Sequence, residues 1–258
     1  MIRTLAVRAK QLPLDLGGPP PPTFDNFFAQ ANLEAVSRLR ALAEEVHDER
    51  ADDRMLYLWG AEGCGRSHLL QAVCDDAARC GLGARALTPH HALEAFAFDP
   101  AIALYAVDDV DRMNPAQQIA VFNLINEVRA HRRSAIVSAG SAPPMAAEMR
   151  EDLRTRLGWG LVYHLQPLSD ADKTTALLHA ARARGLHLSP EVPQWLVTHS
   201  YRDMPSLMAL LDALDHYSLE RKRAVTLPLL RDMLADMQAD ADPETLLDVH
   251  PDAQPHGG

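Results

Sequence analysis

The stretch Gly60-Ala61-Glu62-Gly63-Cys64-Gly65-Arg66-Ser67 has the residue types and spacing of a loop that wraps phosphate groups. Glycines let a backbone turn tightly and aim several N–H groups inward, and a helix opening at the end of the loop adds the partial positive charge of its N-terminus. The apolar run Met55–Trp59 leads into the loop and a helical pattern over Ser67–Arg79 leaves it, which is the strand–loop–helix context this chemistry needs. Gly60, Gly63, Cys64, Gly65, Arg66, Ser67 and the adjoining His68 are therefore candidate contacts to ADP or ATP, and Ser67 holds the hydroxyl position that coordinates Mg²⁺. One position departs from the pattern: Arg66 stands where Lys is expected. Arginine keeps the charge and can fork onto phosphate oxygens, but it is longer and planar. The expectation is retained nucleotide binding with weak self-catalysed hydrolysis. The competing reading is a glycine-rich turn that holds no ligand.

A second acidic motif closes the apolar run Ile102–Val107, where Asp108 and Asp109 follow directly. In a phosphate-loop protein the first carboxylate would hold Mg²⁺ through water and the second would orient a water near the γ-phosphate. Carboxylates after a strand also occur in solvated turns, so this motif draws its meaning from the loop before it.

The elements that must position these groups alternate in type. Leu33, Val36, Leu39, Leu42 (or Ala43) and Val46 recur at helical spacing. Strand-like runs follow at Met55–Trp59, Ala84–Thr88, Ile102–Val107, Ala135–Ser138 and Leu161–Leu165, separated by helical patterns that include Pro115–Arg132 and Glu148–Leu157. This predicts an α/β fold, a three-layer αβα domain with a parallel five-stranded sheet. Strand signals then stop. Four helical segments, about 169–184, 190–200, 203–220 and 226–238, predict a small all-α domain joined near Gln166-Pro167. The division expected is a flexible tail at 1–22, an α/β nucleotide-binding domain at 23–166, a helical lid at 167–238 and an acidic disordered tail at 239–258. His90-His91 reads as a surface pair at a helix start, and Trp159 and Tyr163 as core or hinge packing.

The formal charge of −10 argues against a broad grip on duplex DNA, which rests on many Lys/Arg–phosphate contacts. Three cysteines without ligand spacing argue against a metal site or a disulfide framework. No run of about 18 apolar residues is present, and Arg3, Arg8 and Lys10 interrupt the N-terminal segment, so the expected compartment is the cytoplasm, with no membrane contact.

Over residues 11–238 the motifs together resemble AAA+ proteins of the DnaA branch, and within it the Hda family, the regulatory inactivator of the initiator DnaA. Thr23-Phe24-Asp25-Asn26-Phe27 looks like the segment that lines the adenine site, which places Phe27 there. Asp152-Leu153-Arg154-Thr155-Arg156-Leu157-Gly158-Trp159-Gly160 looks like the arginine-finger segment, with the finger on Arg156 and Arg154 as competitor. Tyr201-Arg202-Asp203-Met204 resembles the sensor-2 segment, in which Arg202 reaches the phosphates. The alternative for Arg202 is a charge pair with Asp203 or Asp212. Ser138 resembles sensor 1, with Ser141 as alternative. Gln11-Leu12-Pro13-Leu14-Asp15-Leu16 looks like a sliding-clamp-binding motif, with Gln11 as polar anchor and Leu12, Leu14 and Leu16 spaced to enter a pocket. An acidic tail, with no room for a helix-turn-helix domain, and Arg66 both favour the inactivator over the initiator.

The resemblance implies a negative regulator of replication initiation. It would dock on the DNA polymerase III sliding clamp (its beta subunit) loaded on DNA, meet DNA only through that clamp, and stimulate hydrolysis of DnaA-bound ATP. A homo-oligomer is left open. The alternative is a DnaA-like AAA+ loader or an autonomous ATPase of replication.

Overall fold

The computed structural model describes residues 21–199 and 204–241. The clamp-motif residues Gln11, Leu12, Leu14 and Leu16, and the sensor-2 candidate Arg202, lie outside the described residues.

Helix α1 (Leu33–His47) buries Val36, Leu39, Leu42 and Val46, the residues at helical spacing. Leu33 is the exception and stays exposed at the first position. Five strands follow in alternation with helices: β1 (Met55–Trp59), α2 (Arg66–Arg79), β2 (Gly83–Leu87), β3 (Ile102–Val107), α3 (Pro115–Ala130), β4 (Ala135–Gly140), α4 (Glu151–Leu157) and β5 (Leu161–His164). Every pairing is parallel, and the strand order is β2-β3-β4-β1-β5. Strand residues alternate between two cores. Leu56, Leu58, Leu104, Ala106, Val137 and Ala139 face α1 and α2, while Tyr57, Tyr105, Val107 and Ile136 face α3 and α4.

Strand β4 runs two residues past Ser138, because Ala139 and Gly140 pair with Leu58 and Trp59 of β1. Helix α4 starts later than Glu148, after a 3-10 turn at Pro144–Ala146. Helix α3 opens on a capping box, Asn114 with Gln117, and on Pro115 at its first position. Its C-terminal end rests on Arg54, whose Nη1 donates to the carbonyls of Val128, His131 and Ser134 at 2.8–2.9 Å. A cation there complements the helix dipole. His90 and His91 lie in a turn rather than at a helix start, where His91 Nδ1 accepts the Thr88 N–H.

The second domain holds α5 (Asp170–Ala183), α6 (Glu191–His199), α7 (Met204–Arg221) and α8 (Leu227–Ala241) around its own apolar core of Leu177, Leu196, Leu207, Leu211, Leu214 and Leu230. A capping box at Ser169 and Asp172 opens α5. Asn32 at the start of α1 grips the join: its amide donates to the Gln166 carbonyl at 3.0 Å and its Oδ1 accepts the Gln166 N–H at 2.8 Å. Among the described residues no helix is long and apolar enough to cross a membrane.

Candidate functional site

With β4 between β1 and β3, the C-terminal ends of these three strands lie side by side, and the loops that leave them form one site. Open parallel sheets bind ligands at this edge. From β1 comes the glycine loop. Gly60 donates to the Gly140 carbonyl at 3.4 Å, and a Cβ on Gly60 would stand 2.5 Å from the Leu165 carbonyl, so only glycine fits. Gly63 (φ 78°) and Gly65 (φ 98°) are left-handed, and Gly65 caps α2. The first helical bond is Leu69 N–H to the Gly65 carbonyl, so the N–H groups just ahead of Leu69 are free of the helix and aim toward its N-terminal end.

Arg66 in the first turn of α2 is only 8% exposed. Its Nη2 stands 3.4 Å from Asp109 Oδ1, while Nη1 is buried and has no hydrogen-bond partner. Ser67 beside it is exposed. Cys64 is buried; burial pushes its thiol up, against the lowering effect of the Arg66 charge, so the sulfur stays protonated and unreactive. His68 donates from Nε2 to the Thr23 carbonyl at 2.8 Å, and its ring meets that of Phe27 at 5.3 Å. Burial holds this histidine below its ordinary value, so it is neutral near pH 7. Phe27 itself lies over Gly65, where an added Cβ would come within 2.5 Å of the ring. The Thr23–Phe27 segment is thereby packed onto the glycine loop.

From β3 come Asp108 and Asp109. Asp108 Oδ1 accepts the Asp109 N–H at 2.9 Å, and Asp109 takes a left-handed backbone (φ 45°), rare outside glycine, at the start of the 3-10 turn Val110–Arg112. Besides Arg66, Asp109 has Arg112 at 3.7 Å.

The third acid, Asp111, went unread in the sequence. Its Oδ2 accepts both the N–H and the hydroxyl of Ser141, the residue after β4, and its Oδ1 is buried without a partner. Burial raises its carboxyl, but the Ser141 hydrogen bonds and the Arg66 charge outweigh that and hold it below the usual range. Nothing local announces this contact, because the partners are 30 residues apart. Ser138 sits within β4 with its Oγ buried and unpartnered, whereas Ser141 stands at the strand end.

The arginine-finger candidates lie on α4. Arg156 stacks on Trp159, its guanidinium carbon 3.8 Å from the ring centroid, and 5.3 Å from that of Phe122. Trp159 is 47% exposed rather than core, and Arg129 of α3 approaches it at 4.6 Å. Arg154 turns back to the Met145 carbonyl, and its Nε is buried. Among the described residues neither Arg156 nor Arg129 has a carboxylate partner; Arg150 is the arginine there that pairs with Asp152. In the lid, Asp212 Oδ1 takes Arg184 at 2.9 Å.

This architecture has counterparts among solved structures. Domain III of the replication initiation protein DnaA from Thermotoga maritima is 20% identical and superposes with a TM-score of 0.68, over 84% of this chain and 97% of that one. AMPPCP-bound DnaA from Aquifex aeolicus is 16% identical, with a TM-score of 0.65 over 87% of this chain and 71% of that one. The Holliday junction branch migration motor RuvB of Thermotoga maritima is 12% identical, with a TM-score of 0.63 over 84% of this chain and 72% of that one. Identities this low speak for the fold alone. The family signal comes from the helical domain, where residues 170–234 match the model of the Hda lid domain. The chain thus joins a body with the fold of DnaA domain III to a helical domain that matches the Hda lid model over residues 170–234.

Proposed function

We propose that this chain is a regulator of replication initiation that binds an adenine nucleotide and acts on DnaA in trans. The phosphates rest on the glycine loop, against the free N–H groups of the first turn of α2 and the Arg66 guanidinium, and the base lies toward Phe27 and His68. Arg202 of the lid reaches the same phosphates. With Asp109 held by Arg66, turnover of the chain's own nucleotide is slow and ADP is retained. Docked on the DNA-loaded sliding clamp through Gln11, Leu12, Leu14 and Leu16, the chain presents Arg156 to ATP-bound DnaA. A guanidinium entering another subunit's site stabilises the charge that develops as the γ-phosphoryl group leaves, a contribution of about 10³ to 10⁵ in rate in related systems. DnaA is left in its inactive ADP form.

The observation that carries this reading is the state of Arg156. It is held on an indole, with no carboxylate partner among the described residues, in a chain whose lid matches the Hda family. A guanidinium neutralised by an acid of its own chain would not serve another protein's site.

The test is reconstitution of ATP-loaded DnaA, clamp on DNA and this chain, with phosphate release as readout. Wild type accelerates release. Arg156→Ala abolishes the acceleration with nucleotide and clamp binding intact, and Leu12→Ala with Leu14→Ala abolishes it through loss of clamp binding. Full acceleration by Arg156→Ala would move the finger to Arg154 or remove it.

A further inference from the structure

We infer that Arg66 takes over the charge-bridging task that a divalent cation performs in sites of this kind, so that the chain binds a nucleoside diphosphate without Mg²⁺. This rests on the glycine loop binding a nucleotide.

Ser67 and Asp108 are the pair the sequence offers to Mg²⁺, and their surroundings do not suit the ion. One carboxylate oxygen of Asp108 is occupied by the Asp109 N–H, and Asp109 is already paired with a guanidinium.

The same guanidinium is arranged to do the ion's work. Its Nη2 holds Asp109 from β3, and Nη1, buried with no partner, is a strong donor left unused in the first turn of α2. The charge of Arg66 reaches Tyr57 of β1, Cys64 of the loop and Asp111 beyond β3, which locates it between the segments that leave β1 and β3. A guanidinium presents its N–H groups as a planar fork, so one nitrogen can stay on a carboxylate while another takes a phosphate oxygen. Bridging an acid to a phosphate is what a divalent cation does there. An ammonium has three donors, but they diverge from a single nitrogen and cover a shorter span than the two Nη atoms of the fork. While Nη2 stays on Asp109, that acid is unavailable to orient a water, in keeping with retention of a diphosphate.

The experiment is calorimetric titration of the full chain with ADP, in buffer containing Mg²⁺ and in buffer containing EDTA, for wild type and Arg66→Lys. Wild-type affinity is expected to change less than fivefold between the two buffers, and that of Arg66→Lys to fall more than fivefold in EDTA. A wild-type loss above fivefold in EDTA, or an Arg66→Lys chain as indifferent to EDTA as wild type, overturns the inference. Binding that needs Mg²⁺ removes this inference alone, whereas no wild-type binding in either buffer removes the nucleotide reading and the inference with it. If Arg66→Lys fails to fold by circular dichroism, the two wild-type titrations decide.

Discussion

Gly65 meets two demands at one residue. Its backbone is left-handed, and the Phe27 ring occupies the space a Cβ would fill. The left-handed conformation alone disfavours alanine by about 1–2 kcal/mol, and the displaced ring adds to it. Gly65→Ala should therefore lower stability by about 2 kcal/mol or more in urea unfolding; an unchanged midpoint would mean the loop is not held in this conformation. His68, against the same ring, gives a pH signature. Burial depresses it below its ordinary value of 6.5, with the Thr23 carbonyl working the other way. The unfolded chain thus takes up this proton more readily than the folded one. The stability conferred by neutral His68 is complete above 6.5 and drains away as pH falls below it. Thermal melts from about pH 7.5 to about 5.5 should show a falling midpoint, and His68→Gln, which can still donate to Thr23, should flatten that slope. An identical slope in the variant would place the titration elsewhere.

At the scale of elements, the body and the lid-side segment are tied through Asn32. It is 4% exposed and satisfies both the N–H and the carbonyl of Gln166. Asn32→Ala would leave two backbone groups unpaired at the end of the β5 segment, each worth about 1–3 kcal/mol when buried. Because Gln166 is itself exposed, the expected loss is nearer about 2 kcal/mol in total, read by thermal unfolding; no loss would show that water replaces the amide fully.

The strands were legible wherever apolar residues ran unbroken: Met55–Trp59 and Ile102–Val107 have the expected bounds. Strand β4 outran its signal because Ala139 and Gly140 carry no strand-forming side chain; their place comes from pairing with β1. Asp111 on Ser141, Arg54 under the end of α3, and the exposed Trp159 between two guanidiniums all depend on partners distant in sequence, and periodicity carries no trace of them. Trp159 reads as core by type, yet cation–π contact gives its face a role at the surface.

On the scale of the whole molecule, the sheet gathers the ends of β1, β3 and β4 into one site while the finger candidate sits apart on α4. That separation suits a chain that keeps one nucleotide and acts on another. The strand alternation and the abrupt change to helices after Leu165 made this division readable, since a run of parallel strands and a four-helix unit bury different apolar patterns. Retention of a diphosphate by the glycine loop is the claim on which the regulatory reading stands. The phosphorus NMR spectrum of ADP mixed with the folded chain tests it most directly. With wild type, the β-phosphate resonance should shift and broaden, and Arg66→Ala should largely restore the free-ADP position. A β-phosphate resonance unchanged by the wild-type protein at matched concentration would contradict the account.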